Sequence, residues 1–99
     1  MKRMKSEPEE LGLALGRILK KYGAEKKILE QSLMQNWDML VGEKIAQQTK
    51  PLKVENKKLF LKVPSPVWRN ELLYLKPELI KKLNLFAKTT LIQDIIFLN

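Results

Sequence analysis

The sequence predicts a single α+β domain, a three-stranded mixed sheet with helices packed on one face. Three observations predict it. Apolar residues recur at helical spacing before residue 50, at strand spacing from 52 to 63, and at helical spacing again from 68 to 86. The resulting order is helix, helix, strand, strand, helix pair, strand, in which the last two strands flank a crossover and so lie parallel. A chain of 99 residues holds one modest core and not two. Residues 1–8 are expected to form a basic flexible segment and residues 9–99 the domain.

The elements follow from local chemistry. Ser6 with Glu9 three residues on resembles a capping box, and Pro8 suits a first helical turn. Leu11, Leu15, Ile18, Leu19 and Tyr22 then make one helical stripe, weakened by Gly12 and Gly16. Gly23 is expected to end that helix. A second helix is expected from about Glu25 to Gln47, burying Leu29, Leu33, Trp37, Leu40, Val41 and Ile45. Gly42 inside that pattern predicts close backbone packing rather than a break. Lys50-Pro51 marks the exit, because a residue before proline avoids the helical region.

Leu52 and Val54 alternate with Lys53, then Leu59, Leu61 and Val63 alternate with Lys58, Phe60 and Lys62. Glu55-Asn56-Lys57 between them reads as a hairpin turn, with Asn56 suited to positive φ. The aliphatic set points inward and the basic set outward. Ser65-Pro66 is a helix start, an N-cap followed by proline at the first position. Trp68, Leu72, Leu75, Leu79, Leu83 and Phe86 form the next stripe. Pro77 predicts a break after about Tyr74 and a second helix from Pro77 to Phe86. Ala87-Lys88-Thr89 is a turn, and the last strand runs from Leu91 to Leu98. Its outer set, Ile92, Ile96 and Leu98, is either a dimer edge or covered by the N-terminal helix.

Composition narrows the function. The net charge is +8, which favours anionic partners. Cysteine and histidine are absent, which excludes disulfides, the usual zinc sites, thiol nucleophiles and imidazole bases. Ser32 and Ser65 have no base near them in sequence. No enzymatic activity, metal or cofactor is expected. Glu7, Glu9 and Glu10 follow the basic start where a signal peptide would turn apolar. No apolar run reaches the roughly 18 residues of a membrane helix. A cytoplasmic protein without membrane partners is expected.

The charge is uneven. Residues 49–65 carry a net +4, the densest basic stretch, whereas residues 25–48 carry −1. Lys50, Lys53, Lys57, Lys58 and Lys62, with Phe60 among them, are the candidate nucleic-acid-binding set. Lysines track phosphates while a base stacks on the ring. The competing account is a solvated face with Phe60 under a lysine stem. Lys2, Arg3 and Lys5 are a possible basic arm. Lys20, Lys21, Lys26 and Lys27 flank Gly23, where the helix dipole already favours positive charge. Arg69 and Glu71 are candidate contacts for a protein partner or for each other.

Trp37-x3-Val41-Gly42-x2-Ile45-Ala46-x2-Thr49-x-Pro51, then Ser65-x2-Trp68-x2-Glu71-Leu72, then Leu75-Lys76-Pro77-Glu78-Leu79-Ile80 with Leu83-Asn84, resemble the bacterial DciA family across residues 9–99. In that pattern Trp37, Gly42, Trp68 and Leu72 are core anchors. The resemblance implies a KH-like fold in the order that begins with a helix and a β-hairpin. It also implies a replicative DNA helicase as partner, DNA binding including single strands, and no catalysis. KH domains clamp nucleic acid with a Gly-x-x-Gly loop. Here that junction reads Tyr74-Leu75-Lys76-Pro77, so binding is expected on the sheet face instead. A general RNA- or DNA-binding protein and a module that binds only protein are the alternatives.

Overall fold

The computed structural model describes the backbone of residues 7–99, and side chains continuously from Lys20. The expected capping box at Ser6 and the arm of Lys2, Arg3 and Lys5 lie outside the described residues, as do the side chains of Leu11, Leu15, Ile18 and Leu19.

The elements are α1 (Glu7–Gln35), α2 (Trp37–Val41), α3 (Glu43–Gln48), β1 (Lys50–Glu55), β2 (Lys58–Lys62), α4 (Pro66–Ala87) and β3 (Asp94–Leu98). The sheet order is β1-β2-β3, with β1 antiparallel and β3 parallel to β2. The α+β class and the mixed three-stranded sheet are those the periodicity predicts.

Four helix boundaries differ from expectation, one of them at Asn36, which separates α1 from α2 inside the expected second helix. Gly23 does not end a helix, and α1 runs through it for 29 residues. Ala24, Glu25, Lys26 and Lys27 that follow are good helix formers, and each residue added makes another backbone hydrogen bond. Gly42 does break one: at φ 90° and ψ 157° it separates α2 from α3. It is exposed and has no neighbour near its Cβ position, so the expectation of close packing fails. Pro77 lies inside a continuous α4 of 22 residues. An interior proline costs about 3 kcal/mol. Leu72, Leu79 and Leu83 lie on both sides of it and are all buried. Each contributes roughly 1.5–3 kcal/mol, so one rigid helix in register with the sheet outweighs a break. The carbonyl that Pro77 leaves without an amide belongs to Leu73, on an exposed stretch of the helix.

Two strand details also differ. The β1–β2 register slips between Pro51 and Lys53, leaving Leu52 unpaired in a bulge and 44% exposed rather than inward. The last strand begins at Asp94, not Leu91; Leu91 and Ile92 are buried in the loop before it, so Ile92 belongs to the core. The hairpin turn is Asn56-Lys57, both at positive φ as a two-residue type I′ turn requires. The Ser65 cap is as read, its hydroxyl oxygen accepting from the Trp68 amide at 3.3 Å.

Leu59 and Leu61 from β2, Val63 just after it, Ile95 from β3, Leu72 and Leu83 from α4, and Leu33 with Trp37 from α1 and α2 are central to the core. It lies between the helices and one sheet face. The other face carries the charge. Among the described residues no helix is long and apolar enough to cross a membrane.

Candidate nucleic-acid interface

The pairing register arranges the outer face into three rows. Lys50 stands opposite Lys62, which neighbours Leu98. Lys53 stands opposite Phe60, which neighbours Ile96. Glu55 stands opposite Lys58, which neighbours Asp94. The bulge puts Lys50 and Lys53 on the same face, although they are three residues apart and strict alternation would separate them.

The rows differ in charge. The Lys50–Lys62 row holds no carboxylate. The Glu55–Lys58–Asp94 row holds two. Asp94 also accepts from the Lys76 ammonium at 3.0 Å and from the Ile95 amide at 2.8 Å. The Lys76 hydrogen bond chiefly, then that amide, with nearby Lys58 adding, holds the Asp94 carboxyl below its ordinary range. Positive potential on this face therefore rises away from the hairpin turn.

The middle row contains the candidate stacking platform. Phe60 is half-buried, and the Lys53 ammonium sits 5.0 Å from its ring centroid and 3.3 Å from a Glu55 carboxylate oxygen. That is the lysine-over-ring arrangement of the competing account. An exposed cation–π contact is worth about 0.5–1 kcal/mol. Base stacking on an aromatic ring is worth about 1–3 kcal/mol. On these magnitudes the ammonium over the ring does not by itself exclude a stacked base.

The remaining candidates fall elsewhere. Lys57 is in the turn at φ 61°, and its carbonyl accepts from the amides of Gln93 (2.7 Å) and Asp94 (3.3 Å). Arg69 is half-buried and donates to the Val63 carbonyl at 3.0 Å and to the Asn99 side chain, fastening the end of the chain. Its guanidinium is engaged internally, and Glu71 is exposed with no ion pair among the described residues. Trp37 and Leu72 are buried, and Trp68 packs half-buried against the core. Gly42, grouped with these anchors, is exposed and acts through its backbone angles instead.

Two side chains that the pattern contained gain a physical reason. The Trp37 indole N–H donates to the Thr49 hydroxyl at 2.9 Å, which donates to the Ile45 carbonyl at 2.8 Å. That chain ties α2 to the residue that links α3 to β1. Asn84 donates to the Ile92 carbonyl at 2.9 Å and accepts from the amides of Leu91 (3.0 Å) and Ile92 (2.8 Å). Asn84 was visible only as part of the motif. Gln47 and Gln48, which border the lysine row in space, gave no signal at all.

No Gly-x-x-Gly clamp exists at residues 74–77, because α4 is continuous there and no loop is present.

The sequence matches the family model described as Dna[CI] antecedent, DciA, over residues 10–97. It is 33% identical over 73 residues to a UPF0232 protein of Corynebacterium glutamicum strain R, covering 74% of this chain and 41% of that relative. It is 31% identical over 80 residues to a UPF0232 protein of Streptomyces avermitilis, covering 79% of this chain and 44% of that one. The chain thus spans less than half the length of these relatives. A model match over nearly the whole chain, through the segments that build its core and hairpin, places this protein in the DciA family.

Proposed function

We propose that this protein is a non-enzymatic accessory factor of DNA replication that binds the replicative helicase and contacts single-stranded DNA through the outer face of its sheet. Residues 9–99 act in this reading as one KH-like domain in the cytoplasm. Membership of the DciA family carries the helicase role, since that family is associated with helicase loading. The face bearing Lys50, Lys53, Phe60 and Lys62 supports the DNA contact. The mechanism is tethering: lysines supply salt-dependent affinity for the strand while a different surface holds the helicase.

The test is a pull-down with the replicative helicase of the same organism, at low salt. Retention of the helicase is the expected result, and its absence would remove the partner from the reading. Competition between matched DNA and RNA oligomers then tests the nucleic acid. DNA should compete at least as well, and a clear preference for RNA would speak for a general RNA-binding protein.

A further inference from the structure

The Lys50–Lys62 pair stands at the open end of the sheet, where α3 enters β1 and β2 leaves for α4. Directly opposed residues of neighbouring strands hold their Cβ atoms about 4.5–5.5 Å apart, and like charges there repel. No ion pair among the described residues offsets either lysine. The two line an open groove of about 350 Å³ with Gln47, Gln48 and Ser65. Each of these five side chains carries a hydrogen-bond donor; Thr49 and Pro64 complete the lining, and proline carries none. Ser65 accepts from the Trp68 amide, which leaves its hydroxyl proton to give. Thr49, by contrast, has its hydroxyl committed to Trp37 and Ile45.

A groove of donors around two opposed, uncompensated ammonium groups fits a phosphate. Resting on the DNA-binding reading above, we infer that this groove holds one backbone phosphate of a single strand, and that the strand runs from there to Phe60. The Phe60 position is two residues back along β2, about 7 Å away, the reach of one extended nucleotide. The path ends there, because Glu55 and Asp94 in the next row repel a further phosphate. Lys57 and Lys58 therefore lie off the strand, although they belong to the same basic stretch.

The test compares two variants of equal net charge, Lys50→Gln with Lys62→Gln and Lys57→Gln with Lys58→Gln, by fluorescence anisotropy with a labelled oligothymidylate over a range of salt. Equal charge makes the long-range field the same for both. The groove variant should weaken binding about tenfold and reduce the magnitude of the salt slope by about 0.7, the amount for one lost phosphate contact to a single strand. The turn variant should bind within about threefold of wild type. Equal losses would replace the groove by a diffuse field and overturn the inference. Undiminished binding by both variants would overturn it too and place the DNA on another surface. Failure of the wild-type protein to bind would overturn the DNA-binding reading together with it. Inorganic phosphate should compete poorly at the oligomer's concentration, and full displacement would assign the groove to a free anion instead.

Discussion

Thr49 and Asn84 each close hydrogen bonds that no helix or strand closes. Thr49→Val keeps the shape, removes the acceptor and leaves the buried Trp37 indole N–H without a partner. Such a group costs about 1–3 kcal/mol, readable as a lower urea midpoint with a change in tryptophan emission. Gly42 is special in its backbone alone. At φ 90° and ψ 157° it occupies a region that only glycine visits readily. Gly42→Ala should therefore destabilise by about 1–3 kcal/mol although nothing obstructs the added methyl. An unchanged melting temperature would show that the break between α2 and α3 relaxes freely. At this scale the sequence was partly legible. The cap at Ser65 and the positive φ of Asn56 follow from residue type, whereas Lys57 and Lys88 take positive φ with no residue signal. Lys88 does so because it ends α4, with the Thr89 amide reaching back to the Asn84 carbonyl at 3.3 Å.

Periodicity located every helical and strand region but misplaced breaks, because local punctuation and tertiary register compete. Gly23 and Pro77 are strong local stops, and both lie inside helices. At Pro77 the local penalty persists beneath the register that overrides it. Pro77→Ala should recover most of it, stabilising the protein by about 3 kcal/mol in chemical denaturation. A loss of stability instead would show that α4 needs a bend that proline supplies. The bulge at Leu52 was illegible for a related reason. Leu52 and Val54 alternate with Lys53 in plain strand fashion, and only the partner strand shows that two steps of β1 oppose one of β2. The lysine rows, and hence the candidate groove, depend on that slip.

Across the whole molecule, charge sets the response to solution conditions. The folded state holds the Asp94 carboxyl below its ordinary range. Its contribution is therefore complete above the unfolded value, near pH 4, and is lost as pH falls through the lower folded value. The group is partly exposed, so this amounts to less than about 1 kcal/mol. Asp94→Asn should make the melting temperature less steep in pH below 4 while lowering it at pH 7. An identical acid limb would remove the Lys76 pair from the account.

The two sides of the sheet are also unequally guarded against growth. β1 carries a proline without an amide, a bulge and two lysines, each of which discourages another strand from pairing. β3, on the far side, reads Asp94-Ile95-Ile96-Phe97-Leu98; Lys76 pairs with Asp94 and sits 5.4 Å from the Phe97 ring centroid, and Arg69 donates to Asn99 just beyond the strand. A strand added to this sheet would meet these obstacles along β1 and not along β3. A single slipped residue and its proline neighbour thereby guard one edge of the sheet and leave the other without that guard.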